Sequence, residues 1–174
     1  MNWTIRPYRS EDADWLLGAE IALQEHEIAI HDPRLAQSRL PGLPSYTRDY
    51  LDMLWEVLDR GQGVMLIAEE PTGPRLGTGP RLGLVAGSIV DEPWPLETAD
   101  STRFAYVSDI FVVPEARGSG LAQALLDALA AHFRAIEPSL TRLRINVLAA
   151  NAVARGAYEK AGFIPYEVTY ERKL

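Results

Sequence analysis

Residues Val113-Pro-Glu-Ala-Arg-Gly-Ser-Gly-Leu-Ala122, VPEARGSGLA, decide how this chain is read. They stand between an apolar run, FAYVSDIFVV (104–113), and a helical pattern, LAQALLDALAAHF (121–133). A plain strand-to-helix turn needs one glycine. Two glycines spaced by one residue, with an arginine before them, mark a backbone that something must approach closely. The first turn of a helix carries amides without intrahelical acceptors and the positive end of its dipole. Gly118 and Gly120 remove Cβ atoms from in front of those amides, Ala122 keeps the wall low, and Arg117 adds a fixed positive charge. Such a turn can seat a pyrophosphate. The plainer reading is that the glycines only serve the turn.

Outward from this junction the chain alternates strands and helices. Toward the C-terminus a helix is expected from about Gly118 to Ala135, then a strand over Leu143–Leu148, a helix over Asn151–Ala161 and a last strand, FIPYEVTYERKL. The second half thus reads β-α-β-α-β, and the crossover through the first of these helices places its two strands parallel. Toward the N-terminus, Trp3–Tyr8 reads as a strand. Ser10 is the expected N-cap of a helix whose first turn carries Glu11, Asp12 and Asp14, with Trp15, Ala19, Ala22 and Leu23 on one face. His31–Pro44, broken by prolines, is a loop. Leu51, Leu54, Trp55 and Leu58 mark a second helix ending before Gly61. Strands at Val64–Glu69 and Leu82–Val90 are joined by PTGPRLGTGPRLG, a hairpin connection with no helix after it to aim amides at an anion. A proline-rich loop, DEPWPLETADS, precedes the strand Arg103–Val113.

Bulk properties bound the function. At 174 residues with 47% apolar content, the chain is expected to fold as one domain, 1–174, around its own core. The formal charge of −7 repels an extended phosphate backbone, so no nucleic-acid partner is expected, and it suits a cationic acceptor. The polar opening MNWTIRPYRSED does not read as a signal peptide, so none is expected, and no apolar run approaches the roughly 18 residues of a membrane span. With no cysteine there is neither a disulfide nor a thiolate metal site, which fits a cytoplasmic protein with no membrane partner.

Several tempting motifs fail. His26-Glu-Ile-Ala-Ile-His31 has one residue too many for a zinc-protease helix, where the ligands stand at i and i+4. Three histidines in all, with His132 on a helix flank, leave no metal expected. No Walker phosphate loop is present, and the third glycine of a dinucleotide fingerprint is Gln123, so a Rossmann reading is weak.

Arg117, Gly120 and Ala122 after an apolar strand, followed by Asn151, Ala154, Tyr158, Glu159, Lys160, Gly162 and Phe163, resemble the pattern of the GCN5-related N-acetyltransferases, the GNAT superfamily. The resemblance covers Ser108–Phe163. It implies an α/β fold of the acyl-CoA N-acyltransferase type: a mixed, mostly antiparallel sheet with one splayed parallel strand pair, flanked by helices. It further implies acetyl-CoA as co-substrate, with the pantetheine arm lying between Ser108–Val113 and Leu143–Leu148. Ile110, Phe111, Val112 and Val113 would line the arm, with free backbone groups at Phe111 and Val113. Arg117, Gly118, Ser119, Gly120, Leu121 and Ala122 would hold the diphosphate, and Asn151, Ala154 and Tyr158 would face the pantetheine. A strand N–H near the thioester oxygen would stabilise developing charge, an effect worth roughly 3–4 kcal/mol per donor in enzymes.

Under the resemblance Tyr158 protonates the departing sulfur; without it, the residue reads as packing. Asp109 is either the base that takes the amine's proton or a structural carboxylate, and strand alternation places Tyr106 on the opposite face from it. Asn146, Glu25 and Glu27 are weaker candidates for the base. Trp94 either walls an acceptor pocket or caps the core. The last strand leaves an edge on which a second copy could pair as a homodimer. The expected activity is direct transfer of an acetyl group from acetyl-CoA to a primary amine in a ternary complex. The rivals are a catalytically silent acyl-CoA sensor and a nucleotide-binding regulatory domain.

Overall fold

Two apolar strands form the middle of the molecule. β2 (Val64–Glu69) and β3 (Arg81–Asp91) are buried on both faces over most of their length, which is why each reads as a nearly continuous apolar run. The structure, a computed structural model, describes residues 2–31, 42–71, 79–172 and 174. Around these strands lie β1 (Thr4–Pro7), a 3-10 turn at Ser10–Asp12, α1 (Ala13–His31) and α2 (Leu43–Arg60). After β3 come α3 (Ala99–Thr102), β4 (Arg103–Val112), a 3-10 turn at Pro114–Ala116, α4 (Leu121–Ile136), β5 (Leu143–Ile145) and α5 (Ala152–Lys160). The strands make one sheet in the order β1-β2-β3-β4-β5, antiparallel throughout except for the parallel pair β4–β5.

Each face of the sheet has its own helical cover. Leu121, Leu125, Leu129 and Phe133 of α4 recur at helical spacing and pack on Val85, Ala105 and Val107. On the other face Leu16 and Ala19 of α1 and Leu51, Leu54 and Leu58 of α2 cover Met65, Ile67, Leu84 and Ala86. Each fully buried leucine or phenylalanine contributes roughly 1.5–3 kcal/mol relative to exposure. Among the described residues no helix is long and apolar enough to cross a membrane.

Several sequence expectations change. The last strand does not form: Phe163–Arg172 has no strand pairing, and Ile164, Tyr166, Val168 and Tyr170 are exposed. An alternating pattern becomes a strand only against a ladder. β5 stops at Ile145 instead of Leu148, so it offers only three residues of edge. Tyr166 instead lies over the Arg144 guanidinium at 4.3 Å, with Phe104 at 3.9 Å from the same group. Ser10 is not an N-cap; it opens the 3-10 turn, with Arg9 at the cap position. Asp12, expected in the first turn of a helix as a partner of its dipole, is fully buried and takes hydrogen bonds from Arg6 (2.7 and 2.9 Å), Arg81 (2.9 Å) and the Arg9 amide (2.8 Å). Ala22 is exposed, and Leu16 takes its place on the buried face of α1. Helix α2 starts earlier than expected, with Pro44 in its first turn where a missing N–H costs nothing. Trp94 does not cap the core: it is 66% exposed and lines a surface cavity together with Phe104, Arg144 and Tyr166. Residues 32–41 of the proline-broken loop and 72–78 of the arginine- and glycine-rich joint lie outside the described residues.

Candidate active site

The site is organised by a β-bulge in β4. Along the β3–β4 ladder Ala86 faces Asp109 while Gly87 faces Val107, so Ser108 is the extra residue. A bulge shifts strand alternation by one. Asp109 and Tyr106 stand opposite Ala86 and Ser88, two residues apart on β3 and therefore on one face. The expectation that they occupy opposite faces is corrected: three residues apart means the same side once Ser108 is skipped.

The same shift decides which backbone groups of β4 point outward. The Val113 N–H donates to Leu82 O on β3 at 2.9 Å, and Phe111 O lies close against Gly83. The expected outward groups at Phe111 and Val113 are therefore turned inward, and Ile110 and Val112 face out. Val112 O accepts a hydrogen bond from Arg117 Nε at 3.1 Å. Because β5 pairs only with Ala105–Val107, the outer edge of β4 beyond Val107 carries no strand among the described residues. This is the splay of the parallel pair.

That open edge runs into the glycine turn. Gly118 and Gly120 take φ of 75° and 91°, the left-handed region that disfavours any residue with a Cβ. An ideal Cβ at either position meets nothing within 4 Å, so conformation rather than crowding demands glycine. Helix α4 begins at Leu121 rather than Gly118, with Gly120 as its N-cap. Among the described residues the amides of Gly118, Gly120, Leu121 and Ala122 have no backbone acceptor. Ser119 folds back, its hydroxyl donating to Ala116 O at 2.6 Å. Leu121 is buried in the core, so it offers the turn only its amide. The arrangement presents several donors and an exposed arginine to one anion.

Helix α5 flanks the splay. Asn151 is its N-cap, its Oδ1 accepting from the Ala154 amide at 3.0 Å, and the side-chain NH2 is left to donate to another partner. Tyr158 is half-buried, packs on the α4-side core and stands 6.0 Å from the Phe163 ring, centroid to centroid. Burial, then the negative charge of Glu27 and Asp109, pushes its phenol up to about 12.

On the opposite face lies a set of acids that sequence reasoning assembled only in part. Asp109 is 7% exposed, and its Oδ2 accepts from the Tyr50 hydroxyl at 2.6 Å. Burial pushes it up to about 6, with the Tyr50 bond pulling the other way and Glu27 adding to the rise. Glu20, on α1, is fully buried, and neither carboxylate oxygen has a hydrogen-bond partner among the described residues. Burial, then Asp109 and Glu27, pushes it up to about 9. Glu20 and Tyr50 were missed. Glu20 stands four residues after Leu16 and so on the apolar stripe of α1, and a carboxylate at such a position was the available signal. Tyr50 gave none beyond helical spacing. Glu25, Glu27 and Asn146 are exposed; Glu27 still acts on the site through its charge. Among the described residues no group of three His, Cys, Asp or Glu can hold a metal ion.

Comparison with known proteins bears on this geometry. The acetyltransferase (GNAT) family matches residues 33–163. No curated protein matches the chain. Among solved structures, a GCN5-related N-acetyltransferase from Ralstonia eutropha is 19% identical, with 99% of each chain covered and a TM-score of 0.68. A predicted acetyltransferase from Clostridium acetobutylicum, crystallised with acetyl-CoA, is 20% identical over 99% of this chain and 96% of its own, at 0.68. The aminoglycoside 6'-N-acetyltransferase AAC(6')-Ih from Acinetobacter baumannii is 17% identical over 99% of both chains, at 0.66. At these identities the structures speak for the fold. The family match spans most of the sequence, from before α2 to the end of the α5 motif, and on that ground the chain belongs to the GNAT family of acetyltransferases.

Proposed function

We propose that this protein transfers the acetyl group of acetyl-CoA directly onto a primary amine, both substrates being bound together. One observation carries the reading: the unpaired outer edge of β4 leads straight into the acceptor-less amides of the Gly118–Ala122 turn. An extended polar arm ending in a diphosphate fits both parts. Ile110 and Val112 would pair with the arm, and Gly118, Gly120, Leu121 and Ala122, with Arg117, would hold the phosphates.

The chain's own residues then have defined work. The amine attacks as the free base, so its proton must leave. Asp109 is ionised at pH 7–8, and its Oδ1 takes that proton while Tyr50 holds Oδ2. A C–N bond forms as the C–S bond breaks, and the sulfur departs as the thiolate of CoA, to be protonated by solvent. A phenol pushed up to about 12 does not give its proton wholly to a thiolate, whose acid form titrates near 8.5. Tyr158 therefore steadies the leaving sulfur by donating a hydrogen bond, and the sulfur takes its proton on release.

Thiol release from acetyl-CoA, followed with a panel of amines against an acceptor-free blank, is the test. Release that follows one amine class is expected. Asp109→Asn and Tyr158→Phe are each expected to slow it by roughly a hundredfold while acetyl-CoA affinity holds. Thermal protection by acetyl-CoA without release under any amine would favour the silent sensor. Neither release nor protection would overturn the reading altogether.

A further inference from the structure

A cavity of about 160 Å³ opens where β3 passes through α3 into β4. Buried Phe104 lines it, with the Arg144 guanidinium over its ring at 3.9 Å, and Tyr166 lies 4.3 Å from the same group. Arg144 Nη2 donates to Ser101 O at 2.9 Å and to Ser101 Oγ at 3.4 Å. Two rings and a carbonyl thus hold the guanidinium in place. Its Nε and Nη1 donors are unused, and no carboxylate pairs with it, among the described residues. Nearby arginines differ: Arg103 pairs with Glu137 and Arg142 with Asp100. Acids are at hand, since Glu92, Glu97 and Glu167 line the same cavity, yet none of them reaches Arg144. A fixed, half-buried guanidinium with free donors in a cavity is a receiver for a planar anion.

This receiver shares a face of the sheet with Asp109. Phe104, Tyr106 and Asp109 stand opposite Val90, Ser88 and Ala86, alternate positions of β3, and Arg144 stands beside Tyr106 in the parallel pair. We propose that the acceptor carries a carboxylate, held by Arg144 in this cavity while its amine is acetylated beside Asp109. The inference rests on the transferase reading above and names its substrate class. The ladder sets the length. Val90 to Ala86 spans about 14 Å at about 3.4 Å per residue. A hydrogen bond of about 2.9 Å at each end leaves about 8 Å from carboxylate oxygen to amine nitrogen. An extended chain covers that in about seven bonds, the length of 6-aminohexanoate. The three glutamates select among anions: a phosphate brings up to about two negative charges among them, a carboxylate one. The other end of such an acceptor arrives as an ammonium, which the net charge of −7 attracts.

The test compares ω-amino acids, from 3-aminopropanoate to 8-aminooctanoate, with n-alkylamines of equal carbon number, by thiol release from acetyl-CoA. The amino acid of six carbons, or a neighbour one methylene away, is expected to exceed its alkylamine by about tenfold in kcat/KM, equivalent to about 1.4 kcal/mol. In Arg144→Gln that ratio should fall toward one. General damage to the fold slows both members of a pair, so the ratio reads the carboxylate alone. A second readout needs neither variant nor turnover: with CoA present, 6-aminohexanoate should raise the Tm of the wild-type protein more than hexylamine does. Equal use of the two series, or a preference that Arg144→Gln leaves intact, overturns the proposal while the transferase reading stands. So does better use of 1,6-diaminohexane or 6-aminohexylphosphonate than of 6-aminohexanoate, and so does a series in which no ω-amino acid is turned over or raises the Tm. Failure of the transferase reading looks different, because acetyl-CoA then neither turns over nor protects the fold.

Discussion

Asp109 and Tyr50 show how one hydrogen bond sets a working pH. The Tyr50 O–H donates to Asp109 Oδ2 at 2.6 Å and favours the ionised carboxylate, opposing the burial that lifts it to about 6. The carboxyl must be ionised to accept a proton. Tyr50→Phe keeps the ring and removes the donor, so the Asp109 value rises. The acid limb of the kcat/KM–pH profile is expected to move upward from near 6, with the rate at pH 8 falling far less than the rate at pH 6. A limb that stays in place in Tyr50→Phe would show that another group governs it. This pairing joins residues 59 apart in the chain, and nothing local in the sequence around Tyr50 announces it.

At the level of elements, the glycine turn is the part most open to direct attack. Gly120 sits at φ 91° with free space where a Cβ would project, so Gly120→Ala meets no clash and pays only in backbone conformation, roughly 1–2 kcal/mol. If the amides beyond it hold the diphosphate, a turn that relaxes away from this shape should raise KM for acetyl-CoA by roughly tenfold and leave kcat at saturation nearly unchanged. A fall in kcat at unchanged KM would place the turn elsewhere in the chemistry. The turn was legible because its meaning is local: two glycines, an arginine and the start of a helix lie within six residues. So were the helices over Leu51–Leu58 and Leu121–Phe133, whose apolar residues recur at one period. The bulge at Ser108 was not, since a bulge is a property of two strands and a single serine inside an apolar run does not mark one. It reversed both the face of Tyr106 and the outward groups of β4. The last strand failed for the opposite reason: Ile164, Tyr166, Val168 and Tyr170 alternate correctly, but β5 ends before it can serve as their partner.

For the whole molecule, the two buried acids pull stability in opposite directions with pH. Asp12 is held well below the ordinary carboxylate range by Arg6 first, despite its burial, with Arg81 and the Arg9 amide adding to the effect. Its contribution is present above about 3.9, where the unfolded carboxyl ionises, and is lost as pH falls below that. Glu20 and Asp109 are raised, to about 9 and about 6. Their contribution is complete below about 4 and is lost as pH rises, first through 6 and then through 9. The Tm of the protein is therefore expected to peak at roughly pH 4 and to decline from there toward pH 9. Glu20→Gln cannot ionise, so it should flatten the alkaline part of that decline. A gain of ~2 kcal/mol at pH 8 corresponds to roughly 4–8 °C at this chain length. Thermal unfolding of both proteins from pH 4 to 9 measures it. An unchanged alkaline decline in Glu20→Gln would mean that Glu20 finds compensation in solution. A flattened one would mean that the buried Glu20 carboxyl costs the fold stability as pH rises above the ordinary carboxylate range.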